Sequence, residues 1–292
     1  MTGEVEVRRI ASKYLIPTEP PDFVDTGIMA LLEMLAFGPN MILKGPKGVG
    51  KTVCLEAFAA RQGVPFLRYS CTDETSIRDL IGTSHAEPVD GAIKSYFQLG
   101  VLPAAVEVAN DEGACMLVLE EINTLTAQVQ KTLNPLTDYR QEISVPKVGR
   151  IFRVNPGCKI WVLGTMNPNY TGTYSLNEDM RSRFQPVPVT FMSREMEQDL
   201  LLAQFTKTPL APEREMVRSL LTLATESRSG VLGYSLSTRD LVSVIKIFER
   251  VKTKELMLKL LEARFDEEKH ADVRGRIQSM FQVNLNNVKL FG

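Results

Sequence analysis

Eight residues, Gly45-Pro46-Lys47-Gly48-Val49-Gly50-Lys51-Thr52, stand between an apolar run (Met41 to Leu43) and a stretch with helical apolar spacing (Thr52 to Arg61). They match G-x-x-x-x-G-K-[ST], a pattern that chance produces roughly once per hundred chains of this length. A backbone that turns from strand to helix through glycines aims its N–H groups and the positive helix terminus at one spot, which suits a phosphate. The glycines permit close backbone approach, the Lys51 ammonium would reach β- and γ-phosphates, and the Thr52 hydroxyl would ligate magnesium. Gly45, Pro46, Lys47, Gly48, Val49, Gly50, Lys51 and Thr52 are therefore candidate nucleotide-binding residues. The competing reading is a glycine-rich turn with no ligand, and the placement between strand and helix favours the phosphate loop.

The surrounding pattern is that of an α/β fold. Short apolar runs rich in β-branched residues alternate with helical patterns up to about residue 192: Asn40 to Lys44, Val64 to Ser70, Cys115 to Glu121, Lys159 to Met166 and Val187 to Phe191. This predicts a parallel five-stranded sheet with crossover helices. Two stretches break the alternation. Thr83 to Gln98 carries Asp90-Gly91, a two-residue turn that closes a tight hairpin. Glu142 to Val154 alternates apolar residues around Pro146 and Gly149 and reads as a looser hairpin. From Ser193 the spacing is helical over Arg194 to Phe205, Pro212 to Glu226, Thr238 to Arg250 and Lys254 to Phe265. The expected organisation is an α/β domain over 1–192 and a small all-α domain over 193–292, with Asp266 to Arg276 a solvated helix face and Val283 to Gly292 a tail that packs on a neighbour.

Charge and composition narrow the functional classes. Thirty-four Lys and Arg balance thirty-five Asp and Glu, which disfavours attachment to nucleic acid by bulk charge. Cys54, Cys71, Cys115 and Cys158 have the spacing of neither a zinc knuckle nor a disulfide scaffold, implying a reducing compartment. Cys54 and Cys71 read as small apolar packing groups. His85 and His270 are the two histidines, too few for a His-rich metal site or Ser-His-Asp chemistry. The N-terminus has no apolar h-region, and Gly27 to Phe37, interrupted by Glu33, is too short to span a bilayer. A cytoplasmic protein is expected.

A second acidic feature lies downstream of the loop. Met116-Leu117-Val118-Leu119 runs into Glu120-Glu121-Ile122-Asn123, which puts adjacent carboxylates at the C-terminal end of a buried strand, the edge where such sheets bind ligands. One acid can hold magnesium through its water shell and the next can take a proton from an attacking water. Two acids opening a helix for its dipole would be the plainer reading.

With these residues in view the chain resembles an AAA+ ATPase of the MoxR type, specifically the CbbQ, NirQ, NorQ and GvpN group. The resemblance rests on Leu43 to Thr52, Glu120 to Asn123, Asn134-Pro135-Leu136-Thr137-Asp138, Asn167-Pro168, Arg181-Ser182-Arg183-Phe184 and Ser237-Thr238-Arg239, and covers about residues 15 to 265. It implies a P-loop AAA+ core with two hairpin insertions and a helical lid, and ATP and Mg2+ as cofactors. Glu120 departs from the family's usual Asp by one methylene, which bears on magnesium geometry and on hydrolysis rate.

Further roles follow from the same resemblance. Asn167 ends the apolar strand Trp161 to Met166 beside Pro168 and is the sensor that orients the lytic water; an Asn-Pro turn is the ordinary alternative. Arg183, with Arg181 as second choice, is the arginine finger that reaches a neighbouring subunit's γ-phosphate. Ser237 and Asp240 form a capping box, so Arg239 sits in a helix's first turn, where the dipole disfavours a cation unless an anion is near; by resemblance it is a second sensor. Tyr96 and Phe97 suit either a pore lining or a packed hairpin. The implied protein is a homo-oligomeric ring, hexameric by resemblance, that hydrolyses ATP to remodel a protein client, reached in this group through a partner with a von Willebrand factor A domain. A nucleic-acid motor, a slowly hydrolysing ATP switch prompted by Glu120, and a small-molecule kinase are the competing readings.

Overall fold

Met116, Leu117, Val118 and Leu119 are consecutive and fully buried, as strand residues are when helices cover both faces of a parallel sheet. The computed structural model describes residues 6–8, 16–20, 23–89, 92–168, 173–265 and 267–285. Two compact units are resolved: one comprises Met1–Gly45 and Lys51–Val189, the other Pro46–Gly50 and Thr190–Gly292.

The first unit holds strands β1 (Glu6–Arg8), β2 (Asn40–Lys44), β3 (Phe66–Ser70), β4 (Gly82–Val89), β5 (Ala92–Leu99), β6 (Ala114–Glu120), β7 (Glu142–Val145), β8 (Arg150–Arg153), β9 (Lys159–Met166) and β10 (Phe184–Pro188). Its helices are α1 (Ile28–Met34), α2 (Lys51–Gln62), α3 (Ile77–Ile81), α4 (Val101–Glu112), α5 (Ala127–Lys131), α6 (Asn134–Thr137) and α7 (Glu178–Arg183). Five strands form one parallel sheet in the order β10-β2-β9-β6-β3. Chain order and spatial order differ, so β9 comes between β2 and β6 although more than a hundred residues separate it from β2. Helix α4 is almost wholly buried, from Val101 to Ala109 on its apolar face, and ends at Gly113 in the left-handed conformation. Trp161 of β9 is fully buried, packs near Phe58 and Phe37, and donates its indole N–H to the Pro39 carbonyl at 2.9 Å.

Both hairpins form. Strands β4 and β5 pair antiparallel, as do β7 and β8 with a 3-10 turn at Pro146–Val148 between them. The Asp90-Gly91 turn itself lies outside the described residues. Strand β1 was not foreseen: it pairs parallel to β5 and makes a three-stranded sheet. Arg8 lies 3.8 Å from the Tyr96 ring centre, His85 stacks on the same ring at 5.4 Å, and Phe97 is buried. The packed-hairpin reading therefore describes Phe97.

The last sheet strand is Phe184–Pro188 rather than Val187 to Phe191. Pro186 and Pro188 fall within it, and β10 is an edge strand, where a missing N–H costs no ladder bond. Phe191 instead lies under the Arg228 guanidinium, 3.8 Å from ring centre to charge, in the second unit.

The second unit is helical: α8 (Arg194–Leu202), α9 (Ala211–Arg228), α10 (Thr238–Val251), α11 (Lys254–Glu262) and α12 (His270–Phe281). Leu220, Leu223, Ala224, Leu241, Ile245, Leu258 and Leu261 make its core. Here the charged C-terminal segment differs from expectation. Val273, Ile277 and Phe281 of α12 are buried in that core, while Arg274 and Arg276 pair with Glu262 and Glu226, so α12 is amphipathic and not merely a solvated face. Val283 and Leu285 also pack on this core, and residues 286–292 of the expected tail lie outside the described residues. A buried ion pair braces α8 against α9: Arg228 donates to both oxygens of Glu197 at 2.8 and 2.7 Å, and the Thr238 hydroxyl donates to the same carboxylate at 2.6 Å. Burial also pushes the Cys54 thiol up to about 11 and the Cys71 and Cys115 thiols up to about 12, so all three stay neutral at physiological pH.

Glu249 on α10 has its carboxyl lowered to about 2, chiefly by Lys252 and then by the Thr206 hydroxyl and N–H. A depressed carboxyl stabilises the fold above its unfolded value of 4.5 and loses that contribution as pH falls toward about 2. The melting temperatures of wild type and Glu249→Gln should differ at pH 6 and converge over that window. A gap that persists unchanged to pH 2 would show that this carboxylate does not contribute.

Candidate functional site

The sheet order places the C-terminal ends of β2, β9, β6 and β3 side by side, and side chains from distant parts of the sequence meet there. Lys51, the first residue of α2, is 8% exposed. Its ammonium donates to the Gly45 carbonyl at 2.8 Å and to Asn167 Oδ1 at 2.7 Å. The Asn167 amide in turn donates from Nδ2 to Glu121 Oε1 at 3.1 Å. An amide between an ammonium and a carboxylate can be placed in one way, oxygen toward the cation and nitrogen toward the anion. Lys51, Asn167 and Glu121 thus form one polar relay along the sheet edge.

The two adjacent acids face different partners because the backbone turns sharply between them. Glu120 closes β6 in extended conformation, whereas Glu121 has φ 53 and ψ 42, the left-handed region. For a non-glycine residue that costs about 1–3 kcal/mol, and such strain concentrates at functional sites. Two hydroxyls fix the turn: Thr165 Oγ1 accepts from the Glu121 N–H at 3.2 Å, and the Thr124 hydroxyl donates to the Glu121 carbonyl at 2.9 Å.

Glu120 Oε1 accepts the Thr52 hydroxyl at 2.6 Å, so the longer side chain reaches the loop threonine directly. Its other oxygen accepts from Ser70 Oγ at 2.8 Å and lies 3.6 Å from Arg68 Nε. A hydroxyl and a carboxylate in contact, beside a buried ammonium, are the donor set a nucleotide-bound magnesium uses; its remaining ligands are phosphate and water. The residues therefore fit Mg2+ with a nucleoside triphosphate. Among the described residues no cluster of three or more His, Cys, Asp or Glu is placed to hold a metal, so a fully protein-caged ion is not what this geometry offers.

The loop's glycines are used in two distinct ways. A Cβ on Gly45 would fall 2.0 Å from the Val189 carbonyl oxygen, so no side chain fits where the loop leaves β2. Gly48 has φ +75, and within the second unit a Cβ there would lie 2.4 Å from Ser237 Oγ and 3.6 Å from Arg239 Cβ. Arg239 is exposed in the first turn of α10, whose capping box of Ser237 and Asp240 forms as the sequence indicated. Pro46 and Lys47 are exposed and Val49 is buried.

Arg181 and Arg183 do not join the relay. Both lie in the last turn of α7, whose N-cap Asn177 accepts from the Met180 N–H at 2.8 Å. Arg181 is exposed; Arg183 is half-buried, with Nη1 3.6 Å from Asp138 Oδ2. Residue-pattern reasoning missed Ser70, Arg68, Thr165 and Asn123, whose amide donates to the Asn167 carbonyl at 3.2 Å. Ser70 could have been found, since it is the last residue of a strand and stands in register with Glu120; the adjacency of the two strands could not.

Residues 40–184 match the AAA domain of the dynein-related subfamily, a span that holds the loop, both acids, Asn167 and both α7 arginines. The Bacillus subtilis protein YojN is 24% identical over 254 residues, covering 85% of this chain and 80% of that protein. Protein SH1500 of Staphylococcus haemolyticus is 24% identical over 220 residues, covering 73% of this chain and 81% of its own. A crystallised protein of Cytophaga hutchinsonii superposes with a TM-score of 0.46 at 17% identity, over 88% of this chain and 89% of that one. The fold is an α/β AAA+ P-loop core with a helical C-terminal region.

Gly45→Ala should lower thermal stability, since a backbone carbonyl cannot yield as a side chain can; overpacking of this kind costs at least about 1–3 kcal/mol. A melting curve superimposable on that of wild type would contradict the wedge at Val189.

Proposed function

We propose that the protein is an ATPase of the MoxR type, in the CbbQ, NirQ, NorQ and GvpN group, whose copies assemble into a ring, hexameric by resemblance, and remodel a protein client with the energy of ATP hydrolysis. The observation that carries the reading is the relay of Lys51, Asn167 and Glu121 beside the Thr52–Glu120 pair. The AAA domain match over residues 40–184 supports ATP-driven activity.

In this reading the loop N–H groups of Gly45 to Thr52 cradle the phosphates, and Lys51 exchanges a neutral oxygen partner for a phosphate oxygen, a stronger charge-assisted bond. Mg2+, held by Thr52 and through water by Glu120, supplies neutralisation of phosphate charge when bound. The Glu121 carboxylate accepts the proton of the attacking water, and the Asn167 amide fixes that carboxylate's direction. Arg183, or Arg181, completes a neighbouring copy's site, and Arg239 carries the nucleotide's state into the helical unit. Near-balanced charge favours a protein client over nucleic acid, and a partner with a von Willebrand factor A domain would present it. No helix among the described residues is long and apolar enough to cross a membrane, which accords with cytoplasmic work.

Lys51→Ala should weaken nucleotide binding by about 10–100-fold, read by fluorescent-nucleotide titration, as expected for loss of a charged hydrogen bond. Glu121→Gln should bind normally and turn over about 10²–10⁴-fold more slowly. If Glu121→Gln matched wild type in both, with each holding ATP and hydrolysing at the same slow rate, the protein would be a switch rather than a motor.

A further inference from the structure

The turn after α6 carries two charged side chains, Asp138 and Arg140, that the proposed hydrolysis leaves unexplained. Asp138 stands there in extended conformation at the helix end, 11% exposed. Arg140, two residues on, wraps back onto it: its N–H donates to Oδ1 at 2.9 Å, its Nε reaches both oxygens at 3.2 and 3.1 Å, and its Nη2 donates to Oδ2 at 2.6 Å. The same Oδ2 lies 3.6 Å from Arg183 Nη1. One carboxylate thus serves two guanidinium groups, leaving a net positive charge at a surface where the intervening Tyr139 is 93% exposed.

The two α7 arginines are held very differently. Arg181 is exposed, whereas Arg183 is half-buried, and its buried Nε has no hydrogen-bond partner. A guanidinium with an unsatisfied buried N–H is held where it is by something else, and among the described residues the ion pair of Arg183 is with Asp138. At 3.6 Å that hold is electrostatic rather than a hydrogen bond. Arg140 occupies the carboxylate's preferred directions, so Asp138 aims Arg183 without capturing it.

Resting on the reading of Arg183 as the arginine that acts on a neighbouring copy, we infer that Asp138 is its positioning residue. Its carboxylate, fixed by Arg140, presents the Arg183 guanidinium to the γ-phosphate bound by the next copy of the chain. An arginine aimed before contact loses less conformational freedom on reaching the phosphate than an exposed one does. Without the Asp138 charge, Arg140 and Arg183 become adjacent like charges and Arg183 is driven from its place.

Asp138→Asn in the full chain should bind nucleotide and assemble as wild type does, with KM within about twofold and kcat lowered about 10–100-fold, the scale of a misplaced catalytic group. Asp138→Glu should recover much of that loss. Because the defect lies in what a copy offers its neighbour, mixing Asp138→Asn with Lys51→Ala chains, each impaired alone, should raise turnover above the sum of the two: the Lys51→Ala chain supplies an intact Asp138–Arg183 pair to a working site. Arg183→Ala separates the two layers of the argument. If it keeps full turnover, the finger reading itself is wrong. If it loses turnover, by about 10³–10⁵, while Asp138→Asn keeps it, only the role of Asp138 is overturned, as it also is if Arg183→Ala mixtures recover and Asp138→Asn mixtures do not. Should Asp138→Asn fail to assemble, Arg140→Ala carries the test: a loosened carboxylate lowers kcat about threefold to tenfold at unchanged KM, and an unchanged kcat refutes the proposal.

Discussion

A lysine ammonium kept 8% exposed at the end of a parallel sheet is the constraint around which the site is arranged. Removing a cation from water is costly unless oxygens replace the lost hydration. Here the replacement comes from three places in the chain: the Gly45 carbonyl on the loop, the Asn167 amide at the end of β9, and through it the Glu121 carboxylate at the end of β6. Those oxygens converge because the strand order sets β9 between β2 and β6. The same order buries the strands' apolar runs, so core packing and charge compensation are two results of one topology.

The pair of acids shows how one strand end performs two tasks. Adjacent residues on a continuing strand would point to opposite faces. The left-handed turn at Glu121 breaks that alternation and sends the two carboxylates to separate partners, Glu120 to Thr52 and Ser70, Glu121 to Asn167. The extra methylene of Glu120 is taken up by direct contact with Thr52 and by Ser70 and Arg68 on the other oxygen. Strain at Glu121 is tolerated because Thr165 and Thr124 bind its N–H and carbonyl, and because Cys115 to Leu119 of the strand before it are fully buried.

Legibility from sequence varied with the kind of information each feature carries. The helical spacing of α9 and α10 and the capping box at Ser237 are local and were read directly. Strand β10 begins three residues before the expected Val187 to Phe191 and takes in Pro186 and Pro188, which an edge strand tolerates; edge position is not written locally. The segment Asp266 to Arg276 reads as solvated because Val273 is the one large apolar residue among its charges, yet Val273, Ile277 and Phe281 share one face of α12 and meet the core. Strand β1 is three residues long and gives no pattern to read.

The amino-acid sequence by itself determined the phosphate loop, the alternation of strands and helices, the change to an all-helical pattern near residue 193, and the acids at the end of β6, because each depends on residues within a few positions of one another. Tertiary structure decided which strand ends stand together, and so which side chains meet: Asn167 with Lys51, Ser70 and Arg68 with Glu120, Asp138 with Arg183. The reason is physical. Local pattern follows from periodicity and backbone sterics, whereas the pairing of distant polar groups follows from the order of strands in the sheet, which is set by burial over the whole chain.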